Sequence, residues 1–286
     1  MKFNLKLFVL VGVLAGFRDV YGTDEVKNKD DDFIVDGLKN TKEAKEVKDA
    51  MKGMRVIKAV YQTGLGGDVD LIDKDFQKKL FKVLLWNGQK VEDVEAEKLG
   101  KRGGNLVYYM SEKVEYTVYF IFKENSVVES INNMFFECEN LIRADFRFFN
   151  TTNVTDMSYM FYKCSALTEL NLSTFDTTSV TDMVSMFSCC TALTELNLNN
   201  FKTTSVQNMS NMFYRCTSLT ELDLSNFSFL NNVGQYGMFS WCSSLKTLTV
   251  KSGQVIVRSK CMGCCQRVYI NNDDIQALRS CNVTLV

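Results

Sequence analysis

The hydrophobic positions of this chain recur with a fixed period of 26 residues. The clearest unit runs from residue 167 to residue 192, and the next unit, which begins at Leu193, repeats most of its sequence. A Met-Phe pair closes each unit at residues 134–135, 160–161, 186–187, 212–213 and 238–239. Self-similarity at a period of 20–50 residues is typical of stacked repeat proteins, in which neighbouring units share one core.

Within one unit the spacing of apolar residues changes from a strand period to a helical one. The stretch Glu169–Ser173 alternates polar residues with leucines, which predicts a strand with one apolar face. Ser179–Asp182 resembles a capping box and precedes apolar residues at helical spacing. The pattern therefore predicts an α/β solenoid of the leucine-rich-repeat type, a horseshoe. Its parallel β-sheet would line the concave face, with short helical or 3-10 segments on the convex side.

The same period predicts where the array begins. Counting back 26 residues from the strand around Asp145 reaches Glu115–Phe122, which we expect to be the first strand of the parallel sheet. This gives a leucine-rich-repeat solenoid over residues 113–260. Residues 23–112 do not repeat and are predicted to form a small α+β lead-in that caps the array. Residues 261–286 are predicted to form a Cys-rich C-terminal cap.

The N-terminal segment is typical of a secretory signal peptide over residues 1–22. Lys2 and Lys6 precede the apolar run Leu7–Ala15, which is too short to span a membrane. No other stretch predicts a membrane span. We therefore expect a protein that is secreted or held at the cell surface.

The composition excludes several classes of function. The chain has a net charge of −1 and lacks the basic face that a nucleic-acid partner requires. It contains no histidine, which excludes Ser-His-Asp triads, Cys-His pairs and histidine-ligated zinc sites. We predict that the protein is not an enzyme and that it has no cofactor and no metal site.

Nine of the ten cysteines fall into two groups, and Cys189 belongs to neither. Five follow the repeat period, and we expect these to be buried free thiols. Four cluster near the C-terminus, where one or two disulfides would fasten the cap of a secreted protein. The candidates are Cys261, Cys264, Cys265 and Cys281. A zinc site built on Cys261 and Cys264 is the alternative that the spacing permits.

The repeat pattern L..L.LS.F.T..VT.M..MF..C..L resembles the BspA-like leucine-rich-repeat surface proteins, which are related to the treponemal type of repeat. The resemblance covers about residues 113–265. It implies a surface or secreted protein that mediates adhesion to host cells or to extracellular-matrix proteins.

The polar side of the predicted strands is the expected binding surface. Its two columns of side chains comprise Arg143, Asp145, Glu169, Asn171, Glu195, Asn197, Glu221 and Asp223. The glutamates would form an acidic stripe for a basic partner, or they could be surface charge carried along by duplication of the repeat. The expected function is protein–protein interaction, with adhesion to a host or matrix protein as the first hypothesis. The alternative is a structural coat component that associates with itself.

Overall fold

The computed structural model describes residues 32–63, 67–110, 115–229 and 234–250, and the backbone of three further strands between residues 255 and 285. The chain divides into two compact units, residues 1–36 and 37–286. The described part of the first unit consists of turns and a bend at residues 32–36. The predicted signal peptide, residues 1–22, lies outside the described residues. The second unit holds one α-helix among its described residues, α1 (Lys42–Lys52).

The strands of the second unit, in chain order, are β1 (Val56–Gln62), β2 (Gly67–Asp73), β3 (Leu80–Trp86), β4 (Val91–Val94), β5 (Gly100–Arg102), β6 (Asn105–Met110), β7 (Glu115–Phe122), β8 (Leu141–Asp145), β9 (Glu169–Asn171), β10 (Glu221–Leu224), β11 (Thr247–Val250), β12 (Val255–Lys260), β13 (Cys264–Tyr269) and β14 (Asn282–Leu285). Short 3-10 turns at Lys74–Phe76 and Ala96–Lys98 join some of them.

Helix α1 begins and ends at recognisable caps. The side chain of Thr41 accepts a hydrogen bond from the backbone N–H of Ala44 at 3.2 Å, and Gly53 follows the last turn. Its buried side chains are Ala44, Val47, Ala50 and Met51, spaced so that they share one face. This face packs on β1 and β7.

The largest sheet joins strands of the lead-in to strands of the repeats. Its order is β4-β3-β7-β1-β8-β9, and β1 lies antiparallel between β7 and β8. Lys58 at the centre of β1 pairs on one side with Tyr119 and on the other with Asp145. Those two residues are 26 positions apart, so the register of the repeat continues across a strand that does not belong to it.

Three smaller sheets complete the described structure. Strands β2, β6 and β5 form an antiparallel sheet within the lead-in. Strands β10, β11 and β14 form a parallel sheet, so residues of the predicted C-terminal cap add a strand after the last repeat. Strands β12 and β13 pair with each other.

The prediction of a leucine-rich-repeat horseshoe is wrong, because the structure consists mostly of mixed β-sheets. No helix occurs in the described residues from 115 to 250. The predicted continuous parallel sheet is divided between β8–β9 and β10–β11–β14, and residues 193–198 between them form no strand. The predicted first strand, Glu115–Phe122, pairs with β1 and β3 instead of with β8.

The predicted helical segments are turns for a reason visible in the backbone. Two residues in each unit have positive φ, as at Tyr159 and Lys163, and a left-handed residue interrupts a right-handed helix. The backbone N–H groups bond to the next unit instead of to the preceding helical turn. Tyr159 N–H donates to Val184 O at 2.8 Å, and Phe161 N–H donates to Met186 O at 2.9 Å. The apolar residues at helical spacing therefore point inward from a turn.

Identical side chains stack in register in the core of the repeats. The rings of Phe135, Phe161, Phe187, Phe213 and Phe239 form one ladder, with centroids 5.7–5.8 Å apart and nearly parallel planes. A second ladder, Phe175, Phe201 and Phe227, has spacings of 6.2 and 6.4 Å. Each unit thus contributes rings that only its neighbours can cover.

One acidic side chain beside this core, Asp182, destabilises the fold when it is ionised. Asp156, Asp182 and Asn208 occupy the same place in successive units and form parallel backbone bridges. Burial raises the pKa of Asp182, and the nearby carboxylate of Asp156 raises it further. Asn208 shows that an amide fits there, because its Oδ1 accepts from Ser210 N–H at 3.0 Å, as Asp182 Oδ1 accepts from Val184 N–H at 2.8 Å.

We expect Asp182→Asn to raise the melting temperature at pH 7 and to leave it unchanged near pH 3. A folded-state pKa above the unfolded value means that ionisation of Asp182 lowers the free energy of unfolding as pH rises through the folded-state pKa. The amide removes this cost, which we place at about 1 kcal/mol or less because the site is partly solvated. Thermal unfolding followed by circular dichroism at both pH values measures it.

Asp176→Asn provides a control of opposite sign. Hydrogen bonds from the side chain and backbone of Thr178 lower the pKa of Asp176, so its ionised form stabilises the fold above the unfolded pKa. We expect this variant to lower the melting temperature at pH 7, with the difference lost as pH falls through the folded-state pKa. Equal shifts of both variants at every pH would contradict the electrostatic explanation.

Candidate protein-binding surfaces

The eight residues predicted to bind a partner lie on or between β8, β9 and β10. We call this set the strand surface: Arg143, Asp145, Glu169, Asn171, Glu195, Asn197, Glu221 and Asp223. The structure brings the first four together, since Arg143 pairs with Glu169 and Asp145 with Asn171 across the β8–β9 register. Glu221 and Asp223 belong to the separate β10–β11–β14 sheet, where their partners are Thr247 and Thr249.

One column of the strand surface has a structural role. The side chain at each of its positions accepts a hydrogen bond from the backbone N–H two residues later, which stabilises the turn after the strand. The distances from the Oδ1 atoms of Asp145, Asn171, Asn197 and Asp223 are 3.0, 3.1, 3.0 and 2.9 Å. The hydrogen bonds described for these four residues are within the fold, and their role in binding a partner stays a prediction.

Ion pairs inside the chain engage the N-terminal end of the strand surface. Arg143 pairs with Glu115, and Asp145 pairs with Arg147 at 2.7 Å. These cations and carboxylates therefore largely neutralise one another.

The other column leaves three carboxylates available. Glu169, Glu195 and Glu221 are exposed, and none of them makes an ion pair or a side-chain hydrogen bond among the contacts that the structure describes. They occupy the same position in successive units. A surface with unpaired charges of one sign attracts a partner of the opposite sign and steers its approach.

Helix α1 lies on the same side of the large sheet as the strand surface. Lys82 of β3 pairs with Glu46 of α1 at 2.6 Å, so that side of the sheet faces the helix. The register continues this face across β7 to Lys58 of β1, whose partner on β8 is Asp145. The helix thus borders one end of the strand surface, and the glutamates beyond it stay exposed.

The structure also presents a second surface that the sequence analysis missed. It is formed by the turns around the Met-Phe pairs, and we call it the turn surface: Phe136, Glu137, Tyr159, Tyr162, Lys163, Cys189, Tyr214, Arg215, Tyr236 and Trp241. Tyr236 and Trp241 are 62% and 52% exposed, and Tyr159 is 37% exposed. Trp, Tyr and Arg are the residues most enriched at the energetic centres of protein interfaces.

The aromatic residues at one end of the turn surface hold one another in place. The rings of Phe136 and Tyr162 stack with centroids 5.0 Å apart, and Tyr159 packs edge-on against Tyr162 at 5.8 Å. Lys163 Nζ lies 5.4 Å from the Tyr162 ring and pairs with Glu137 at 2.6 Å. Apart from Tyr159, which precedes the Met-Phe pair, these residues fill the two variable positions of the Met-Phe-x-x-Cys segment, and that variation between units was their signal in the sequence.

The cysteines of the repeat are part of the core. Cys164, Cys190 and Cys216 are buried free thiols that donate to the carbonyl oxygens of Phe135, Phe161 and Phe187 at 3.1–3.2 Å. Burial raises the pKa of all three thiols, which disfavours the reactive thiolate.

The cysteines predicted to form C-terminal disulfides lie largely outside the residues that the structure describes. Cys261 and Cys281 lie outside the described residues, and Cys264 and Cys265 lie on β13, of which only the backbone is described. Within the described ranges, no group of three or more acidic or cysteine side chains is arranged to hold a metal ion. None of the helices described is both long and apolar enough to cross a bilayer.

Comparison with known proteins gives one match. Residues 129–251 match the family model described as "Mycoplasma protein of unknown function, DUF285", which covers most of the repeats. No curated protein matches the chain. No solved structure matches it either. The resemblance to BspA-like proteins therefore stays a prediction.

Proposed function

We propose that this chain is a secreted or cell-surface protein that binds another protein through its strand surface, and that this partner is a host or extracellular-matrix protein with a basic patch. It acts by binding and not by catalysis. The observation that carries the proposal is the row of exposed carboxylates at Glu169, Glu195 and Glu221, which have no ion-pair partner among the described contacts. Alignment of like charges costs stability, so a partner that neutralises them gains favourable Coulomb energy.

The test is a pull-down from host-cell-surface and matrix extracts with the chain from residue 23 to residue 286. The parent is compared with the triple variant Glu169→Lys/Glu195→Lys/Glu221→Lys. A matched control carries Asp75→Lys, Glu97→Lys and Glu129→Lys, three exposed carboxylates outside the strand surface and outside any described ion pair. Circular dichroism of all three chains verifies folding.

We expect the parent and the control to capture the same protein and the strand-surface variant to lose it. Each charge reversal removes an attraction of about 1 kcal/mol between a glutamate and the partner. Because about 1.4 kcal/mol corresponds to a tenfold change in affinity, three reversals should lower the affinity by tenfold or more. Equal capture by all three chains would exclude the strand surface as the site. Capture by none of them would contradict binding to a host protein and favour the self-associating coat component.

A further inference from the structure

We infer that the strand surface of one copy of this chain docks on the turn surface of a second copy, so that the protein associates head to tail. This inference goes beyond the proposed function and shares with it the exposed glutamates. It adds a second surface, the turn surface, and it names the partner as another copy of the chain.

The two surfaces carry opposite charges at three of five corresponding positions. Along one column of the turn surface the residues are Glu137, Lys163, Cys189, Arg215 and Trp241. At the corresponding positions of the strand surface and its continuation they are Arg143, Glu169, Glu195, Glu221 and Thr247. The two cations of one column thus match two glutamates of the other, and Glu195 falls between them.

Arg215 is the cation of the turn surface that is best placed to contact a glutamate of a second copy. Arg215 is exposed and makes no ion pair or side-chain hydrogen bond among the described contacts. Lys163 is bound to Glu137, but both side chains of that pair are more than 40% exposed, so exchange of its partner costs little. An arginine can bind a carboxylate with two parallel hydrogen bonds, which favours Glu221 as its partner.

The spacing of the two columns is also compatible. Neighbouring units on the turn side are 5.8 Å apart, measured between the ring centroids of Phe161, Phe187 and Phe213. Beside the strand positions of the same units, the ring centroids of Phe175, Phe201 and Phe227 are 6.2 and 6.4 Å apart. Lys163 and Arg215 are two units apart, as are Glu169 and Glu221, so the two separations are similar enough for these long side chains to meet.

The aromatic residues supply apolar contact around the charges. Tyr236 and Trp241 lie on the turn surface in the unit after Arg215, and Tyr214 is its neighbour in sequence. Rigid aromatic side chains beside an arginine are typical of the centre of an interface. Charge pairs alone would give weak contacts, so we expect these rings to provide much of the affinity.

The arrangement predicts an open assembly. The strand surface and the turn surface share no residue, and both border one common core. A contact between two different surfaces of identical subunits is heterologous, and it continues indefinitely unless it closes into a ring. The mass in solution should therefore rise with concentration instead of stopping at a dimer.

The test reverses the charges of each surface in turn in the full-length chain. One variant carries Glu169→Lys/Glu221→Lys, the second carries Lys163→Glu/Arg215→Glu, and a control carries Lys78→Glu/Lys101→Glu at exposed sites elsewhere. Sedimentation velocity measures the mass distribution of each chain across a concentration series at about 0.1 M salt. The series is repeated at about 1 M salt, where the Debye length falls from about 10 Å to about 3 Å.

We expect the parent and the control to associate at low salt and to associate more weakly at high salt, where the charge pairs are screened. Each surface variant alone should associate at least tenfold more weakly, because its two surfaces then carry the same sign. An equimolar mixture of the two variants should associate again, since the reversed glutamate sites of one meet the reversed cation sites of the other. Recovery in the mixture would show that both variants are folded.

Three results would overturn the inference: a parent that is monomeric throughout, surface variants that associate as the parent does, or a mixture that stays monomeric. A monomeric parent that still captures a host protein through Glu169, Glu195 and Glu221 would leave the proposed function intact. If both activities occur, the host protein and a second copy should compete, because they use the same carboxylates.

Discussion

Replacement of Phe187 by alanine should lower the free energy of unfolding by about 3–5 kcal/mol, the cost typical of deleting a buried phenylalanine ring. Phe187 is fully buried, and its ring stacks between those of Phe161 and Phe213 at 5.8 Å on each side. The loss is a large share of the 5–15 kcal/mol that stabilises a typical domain. Urea denaturation followed by circular dichroism measures it.

Two further variants make the result specific. Phe187→Leu keeps most of the buried volume and should cost clearly less than the alanine variant. Tyr236→Ala removes a ring of the turn surface that is 62% exposed, and it should change stability by about 0.5 kcal/mol or less. A cost below about 1 kcal/mol for Phe187→Ala would contradict a core built on the stacked rings.

Removal of the lead-in should prevent the repeats from folding. A fragment of residues 113–286 lacks β1, which lies between β7 and β8 in the large sheet and pairs with both. Without β1, two strand edges lose their hydrogen-bond partners, and unpaired edges favour aggregation. The fragment also loses Ile57, Ala59 and Tyr61, which are fully buried in the same core as the repeats.

We expect the fragment of residues 113–286 to be insoluble or to unfold without a cooperative transition. The matched control is a fragment of residues 32–286, which keeps β1 and should unfold cooperatively. Thermal unfolding and the dispersion of a two-dimensional NMR spectrum distinguish the two outcomes. A well-folded 113–286 fragment would show that the repeats do not depend on the lead-in and would contradict the pairing of β1 with β8.

The candidate site was only partly predictable from the sequence. Alternation of polar and apolar residues identified the exposed glutamates, since a strand that buries its leucines must direct the intervening side chains outward. The pattern could not separate them from the neighbouring column of Asp145, Asn171, Asn197 and Asp223, because that distinction depends on hydrogen bonds to the backbone of the following turn. The turn surface was missed because the segments that carry it were predicted to be helical.

The sequence by itself determined which residues meet along the repeats. A strict period of 26 residues places identical side chains in register, so the phenylalanine ladders follow from the spacing alone. The tertiary structure decided how those units are connected. Backbone N–H groups bond to the next unit, which replaces the predicted helices by turns, and β1 inserts between β7 and β8. Both outcomes depend on hydrogen bonds between residues distant in the chain, whereas a periodic pattern specifies only which side chains are buried.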